Sequence, residues 1–359
     1  MLVTNPSNNN IRSGKNYSKV NGIYFNFKFS NLDSYLWQNS SNLVTSIKLR
    51  FKKLRFTLLF QLKIWYSIHV SKKIHIGPFV GEFGNFLGHI LPFLCFLNEK
   101  NVEINFYGTD LLKPFCVDKN GKSFVSYFPL RSLYNESNVS GNSAALPKDI
   151  KAQIEKSGLR DQNFLETIDL ENRFFYWYVY REMVAKKYAK VYNLTPHLTN
   201  PVLSSKNICA VFPRMKGAKT THNNGEQWDY NQLIEKLIDG YDLVYVVGHP
   251  SYAQEVNDHP KVVNVITSDN KEMLKVCANA NCIISQHSGV IYLSAILQKP
   301  YVLLYKGGKS PSDIGSFNNT LYFLNSMGVP YQIEFCYELE EIEKIVTDIQ
   351  KQKNETTGY

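Results

Sequence analysis

The stretch "SQHSGVIYLSAILQKPYVLL" (residues 285–304) contains the pattern that decides the fold. An apolar strand runs into the polar sequence Gln-His-Ser-Gly, a helix follows, and a second apolar strand begins after a Lys-Pro pair. A strand–helix–strand unit of this kind is typical of a parallel sheet covered by helices. The first N–H groups of a helix lack internal partners, so such a junction commonly holds an anion. The candidate anion-binding residues here are Gln286, His287, Ser288 and Gly289.

The same alternation of apolar strands and helices recurs along the chain, in residues 72–106 and again in residues 207–306. With 359 residues, 44% of them hydrophobic, the chain is long enough for two folded domains. Residues 112–165 give no clear pattern, and the proline-containing residues 194–207 are typical of an interdomain linker. We therefore predict an α/β protein with two domains of the doubly wound type.

The positive charge lies almost entirely near the N-terminus. Residues 1–80 contain twelve Lys or Arg and one acid, Asp33, which gives +11 and leaves −2 for the rest of a chain whose net charge is +9. The body is therefore not basic, which argues against a nucleic-acid partner. A helix over residues 44–70 would place six apolar side chains on one stripe, with Lys and Arg on its flanks and back: Ile47, Phe51, Leu54, Leu58, Leu62 and Trp65. Such a helix would either lie on an anionic membrane or pack on the protein's own body. Its apolar run is too short to cross a bilayer.

The cysteines and the first sixteen residues indicate the cellular compartment. The six cysteines are scattered without metal-ligand or disulfide spacing, and several lie in apolar runs, which favours buried free thiols in a reducing compartment. The first sixteen residues contain no continuous apolar segment of the kind found in signal peptides. We therefore expect a cytoplasmic protein, peripheral on the inner face of a membrane if the basic helix binds lipid.

Three strands of the second region end in polar loops that contain Gly or Pro: "AVFPRMKGAK" (210–219), "VYVVGHPSY" (244–252) and "IISQHSGV" (283–290). In open α/β sheets, ligands bind beyond the carboxyl ends of the strands, so neighbouring strands would bring these loops together. Arg214 and Lys216 would bind a diphosphate, and Gly248 would let a nucleoside approach the backbone. The loops therefore predict a nucleoside diphosphate site.

These motifs resemble the donor domain of glycosyltransferases of the two-Rossmann GT-B fold, most of all the heptosyltransferase-like enzymes. The resemblance continues in "GEFGNFLGHILPFLCFL" (81–97), which is similar to the opening loop and helix of that family's first domain. It covers about residues 72–106 and 207–306. The chain departs from the family by having Glu where an Asp is usual and by His287 in the third loop.

The resemblance implies a division of the chain into parts. Residues 1–70 would be a basic N-terminal extension, 71–198 a Rossmann-like acceptor domain, 199–340 a Rossmann-like nucleotide-sugar donor domain, and 341–359 a closing helix and tail. It implies Glu82 as the general base that deprotonates an acceptor hydroxyl. Asn85 and Asp110 are candidates for the acceptor side.

Two absences favour an inverting reaction that needs no metal and no other cofactor. None of the thirteen aspartates forms an Asp-x-Asp pair, the metal-chelating signature of the other large transferase fold. The glutamates between residues 200 and 330 contain no pair eight residues apart, the pattern of many retaining GT-B enzymes.

The resulting hypothesis is a glycosyltransferase that moves a sugar from a nucleotide-sugar donor to a hydroxyl of a glycan or glycolipid. A polysaccharide pyruvyltransferase or a sugar-nucleotide epimerase would use the same architecture. A non-catalytic, membrane-peripheral assembly protein is the alternative from outside the enzymes.

Overall fold

The computed structural model describes residues 58–79, 83–130, 187–214, 228–250, 253–305 and 327–357, together with Leu2–Thr4, Phe164–Glu166 and a few residues between these ranges. Glu82 and Lys216 lie outside the described residues, as does most of the N-terminal extension.

The described strands form two sheets. In chain order they are β1 (Leu2–Thr4), β2 (Lys73–Phe79), β3 (Glu103–Thr109), β4 (Val125–Leu130), β5 (Phe164–Glu166), β6 (Ile208–Phe212), β7 (Leu243–Gly248), β8 (Val262–Ile266), β9 (Cys282–Gln286), β10 (Tyr301–Leu304) and β11 (Gln332–Cys336).

The helices cover these sheets. In chain order they are α1 (residues 58–66, continued by a π-helical turn Ser67–Ser71), α2 (Phe83–Asn85, a π-helical turn Phe86–Ile90, and Leu91–Glu99), α3 (Thr195–Leu198), α4 (Pro201–Ser204), α5 (Tyr230–Leu237), α6 (Asn270–Asn279), α7 (Val290–Ile296) and α8 (Ile342–Thr357), with 3₁₀ turns at Asp110–Phe115 and Leu339–Glu341.

The first domain contains a four-stranded parallel sheet in the order β4-β3-β2-β5. Its two central strands, β2 and β3, are buried along nearly their whole length, as expected when a parallel sheet is covered on both faces. Helix α2 packs on this sheet through Phe86, whose ring centroid lies 5.9 Å from that of Phe106. The helix stops where Asn101 adopts a left-handed conformation (φ 55°), a common way to end a helix.

The second domain contains a seven-stranded sheet in the order β1-β11-β10-β9-β6-β7-β8. Strands β6 to β11 are parallel, and only β1 pairs in the antiparallel sense, on β11. Counted from β6 as one, the parallel strands follow the order 3-2-1-4-5-6 of the doubly wound α/β fold. Its switch point, where the strand order reverses, lies between β6 and β9.

These two sheets confirm the predicted fold class, an α/β protein with two Rossmann-like sheets. The structure adds two strands that begin in the region without a clear pattern, β4 and β5, and Pro129 of β4 is tolerated because β4 lies at a sheet edge. Strand β11 was also missed, since it is only five residues long and Gln332 and Glu334 leave no apolar run.

Residues 194–207 differ from a plain linker because they contain helices α3 and α4, each with a proline in its first turn. They are fixed to the second domain, where the Asn200 N–H donates to Asn279 Oδ1 at 2.7 Å.

All six cysteines are free and buried, as the sequence predicts. In the part of the chain that the structure describes, we find no helix with the length and apolar character needed to cross a bilayer.

Candidate functional site

The carboxyl edges of the two sheets face each other. The segment after β2 meets the segment after β9, where the backbones of Gly84 and Gly289 are in close contact. A second contact joins the segments after β3 and β8, since Asn270 Nδ2 donates to the Leu111 carbonyl at 2.6 Å. The edges at which α/β sheets bind ligands therefore border the junction between the domains.

Arg214 and His287 come together at the switch point of the second sheet. Arg214 follows β6 and His287 follows β9, and Arg214 Nη1 donates to the His287 carbonyl at 3.5 Å. The adjacent β6, β7 and β9 confirm that the three predicted loops start side by side. The guanidinium is therefore positioned where a ligand of a doubly wound domain is expected.

The loop after β7 holds the backbone of Arg214 in place. Ala253 forms an antiparallel bridge with Arg214, and Gln254 Nε2 donates to the Arg214 carbonyl at 3.3 Å. A Cβ on Gly248 would lie 2.8 Å from the Ala253 Cβ, so glycine is needed there for this loop to fold back. Gly248 therefore helps to position Arg214, and its contact with a nucleoside stays a prediction.

The residues at the end of β9 form a buried hydrogen-bond network. His287 Nε2 lies 2.9 Å from Thr320 Oγ1, a partner that orients the imidazole. The Gln286 side chain is fully buried, and the Gln286 backbone carbonyl accepts a bond from the Tyr301 hydroxyl at 2.8 Å. Ser285 Oγ lies 2.7 Å from the same hydroxyl. This network fixes the end of β9 and, with it, the His287 carbonyl that accepts the hydrogen bond from Arg214.

Burial raises the pKa of Tyr230 and of Tyr301, and Arg214 opposes the shift at both residues. Both hydroxyls therefore stay protonated at neutral pH. Burial also lowers the pKa of His249 at the end of β7, which favours the neutral imidazole. Among these described groups, Arg214 supplies the positive charge that an anionic ligand would meet.

The Ser288–Gly289 turn differs from the open anion-binding turn that the sequence suggests. A Cβ on Gly289 would lie 2.6 Å from the Gly84 Cα and 2.7 Å from the Gly84 nitrogen. Ser288 Oγ accepts a bond from the Val290 N–H at 3.3 Å, which leaves that group less available to a ligand. Glycine at 289 is therefore required first of all for the contact between the domains.

On the acceptor side, Asn85 lies in the first turn of α2, directly after Gly84. Asp110 is exposed and begins the 3₁₀ turn after β3, next to the Leu111 carbonyl that contacts the second domain. Both candidates therefore border the junction between the domains. Glu82 belongs to the same segment as Gly84 but lies outside the described residues.

Three residues that contribute to this arrangement were missed by the sequence interpretation: Gly84, Gln254 and Thr320. The spacing Gly84-x-x-x-Gly88 would have been a signal for the first, since small residues four apart let another segment approach a helix closely. A Cβ on Gly88 would lie 2.9 Å from the Tyr292 ring on α7, which confirms that α2 approaches α7 along this side. Nothing local in the sequence marks Gln254 or Thr320.

Within the described residues no group of three or more His, Cys, Asp and Glu side chains is arranged to hold a metal ion.

No protein-family model matches this chain, and no curated protein sequence does. Among solved structures, the chain is similar to the E. coli heptosyltransferase WaaC with ADP-2-deoxy-2-fluoro heptose (14% identity, TM-score 0.46, covering 79% of this chain and 99% of that one). It is also similar to E. coli ADP-heptose lps heptosyltransferase II (12% identity, TM-score 0.47, covering 79% and 99%). A third similar structure is the glycosyl transferase family 9 protein from Veillonella parvula (12% identity, TM-score 0.40, covering 77% and 90%). At these identities and scores, the similarities assign no activity to this chain.

Proposed function

We propose that this protein is an inverting glycosyltransferase that transfers a sugar from a nucleotide-sugar donor to a hydroxyl of a glycan or glycolipid. Residues 71–198 would bind the acceptor and residues 199–340 the donor. The observation that carries the proposal is the position of Arg214, which lies at the switch point of the second sheet with its guanidinium 3.5 Å from the His287 carbonyl. A cation held at this edge, opposite a second α/β domain, suits a diphosphate that must leave during transfer.

In the proposed reaction, Arg214 and Lys216 bind the diphosphate. The donor site is lined by the last residue of β9 and the three residues after it, Gln286, His287, Ser288 and Gly289. Glu82, in the segment after β2, takes the proton from the acceptor hydroxyl as the new glycosidic bond forms. Asn85 and Asp110 orient the acceptor. The base and the leaving-group cation come from opposite domains, which is the arrangement that direct displacement with inversion needs.

A panel of nucleotide sugars tests this proposal directly. We expect one of the GDP-, UDP-, ADP- or CMP-sugars to raise the melting temperature in the presence of EDTA, because the proposed reaction uses no metal ion. At a concentration 100 times Kd, a ligand that binds only the folded state stabilises it by about 2.7 kcal/mol. Stabilisation by phosphoenolpyruvate alone would instead indicate pyruvyl transfer, and no response to any ligand would indicate a non-catalytic protein.

Arg214→Ala should weaken binding of the stabilising nucleoside diphosphate by about 1.5–3 kcal/mol, or roughly 10- to 150-fold, because a charge-assisted contact is lost. Isothermal titration calorimetry measures this effect. Lys206→Ala is the matched control, since Lys206 is an exposed cation of the same domain. Equal nucleotide affinities for the Arg214 variant, the control and the unmodified protein would place the donor elsewhere.

A further inference from the structure

Helix α1 and the turn after it present a continuous apolar face to solvent. Six large side chains on this segment are between 47% and 60% exposed. Contiguous exposed apolar surface of this kind commonly marks an interaction site. We call it the outer face, and its residues are Leu58, Leu59, Leu62, Trp65, Tyr66 and Val70.

A narrow inner face attaches the same helix to the first domain. Phe60 and Ile64 are buried, and the Phe60 ring centroid lies 6.0 Å from that of Phe93 on α2. Ser67 is also buried and donates its hydroxyl to the Lys63 carbonyl at 2.8 Å. The described part of the predicted stripe, Leu58, Leu62 and Trp65, is therefore more than half exposed and is not part of the described core.

The sequence in and before this helix carries charge of one sign, although the structure describes only Arg55, Lys63, Lys72 and Lys73 among its cations. Residues 45–73 contain eight Lys or Arg and no acid, which leaves the segment strongly positive. The Lys72 ammonium group donates a hydrogen bond to the Ile68 carbonyl, and Lys73 Nζ lies 2.8 Å from Glu103 Oε1. Trp and Tyr favour the boundary between water and lipid, because they carry an apolar ring with a polar end.

We propose that the outer face of α1 docks the protein on an anionic lipid surface, with the helix lying in the plane of the interface. Apolar side chains enter the boundary between headgroups and acyl chains, and the basic residues remain among the anionic headgroups. This proposal does not rest on the proposed transferase activity.

A lipid surface fits this face better than a second copy of the chain does. In a two-fold dimer the same surface patch meets itself, so two strongly basic segments would be brought together. Like charges across an interface oppose association. An anionic membrane supplies the opposite charge and the apolar environment at the same time.

The test is sedimentation of the full-length protein with vesicles of phosphatidylcholine alone or of phosphatidylcholine with phosphatidylglycerol. We expect binding to the anionic vesicles that weakens as salt rises, because the headgroup attraction is screened. The double variant Leu62→Glu/Trp65→Glu should bind about tenfold or more weakly, since it removes two apolar side chains from the interface and adds two negative charges. Its melting temperature should change little, because both side chains are exposed.

Val202→Glu is the matched control, because Val202 is a 71% exposed apolar residue outside α1, on α4. It should bind anionic vesicles as the unmodified protein does. Equal vesicle binding by the double variant and this control would overturn the proposal, as would equal binding to neutral and anionic vesicles. A dimer in solution that the double variant converts to monomers, without vesicle binding by the unmodified protein, would assign the face to a second copy instead.

Discussion

Replacing Glu82 by Gln should lower turnover by at least about a hundredfold, because general-base catalysis by a positioned carboxylate contributes roughly 10²–10⁴-fold. Glutamine keeps the shape of the side chain and can still form neutral hydrogen bonds, but it cannot take the proton of the acceptor hydroxyl. Nucleotide affinity and melting temperature should stay nearly unchanged, because the variant removes an interaction made in the transition state. Steady-state transfer with the donor that the panel identifies measures the effect.

The position of Glu82 in the chain supports this expectation. It precedes Gly84 by two residues, so covalent geometry keeps its Cα within about 7.6 Å of the Gly84 Cα. Gly84 contacts Gly289, which follows β9 in the second domain. Glu82 also follows β2, and the switch point of the first sheet lies between β2 and β5.

Glu99→Gln is the matched control, since Glu99 lies at the far end of α2 and pairs with Lys190 at 3.1 Å. It should retain full turnover. Near-normal turnover in Glu82→Gln would reduce Glu82 to a helix cap, and Asp110→Asn would then be the next variant to measure.

Gly289→Val should lower the free energy of unfolding by about 1–3 kcal/mol, the usual cost of overpacking, and should also lower turnover. A Cβ at this position would lie within 2.7 Å of the Gly84 backbone, and a backbone cannot move aside as a flexible side chain can. The domains would have to separate locally, which would move Arg214 and Glu82 relative to each other. Thermal unfolding without any nucleotide measures the first effect.

The ligand-free measurement separates two explanations. If valine acted only by crowding a bound diphosphate, the melting temperature of the ligand-free variant would match that of the unmodified protein, and only nucleotide affinity would fall. That result would contradict the packing explanation. Gly240→Ala is the control, since a Cβ there would have its nearest neighbour at 3.8 Å. Gly84→Ala should also lower the free energy of unfolding. The double variant should lose less stability than the sum of the two single variants, because both changes disrupt the same contact.

Much of the secondary structure could be predicted from the sequence because it depends on local patterns. Strands such as β2, β6 and β9 are short apolar runs that end in Gly, Pro or polar residues, and helix α5 has clear amphipathic spacing after the N-cap residue Asp229. Strand β4 was missed because its proline and its exposed residues break the apolar pattern. The expectation of an α/β protein with two Rossmann-like sheets followed from the alternation of these elements.

The sequence by itself determined most of the strands and helices, the basic N-terminal segment and the loops in which charged residues follow strands. The tertiary structure alone decided which strands are neighbours, and so placed Arg214 beside His287, which is 73 residues away in the chain. It also decided that Gly289 faces Gly84, that Thr320 orients His287, and that the outer face of α1 is exposed. The physical reason is that backbone propensity and hydrophobic periodicity act over a few residues, whereas contacts between distant segments depend on how whole elements pack.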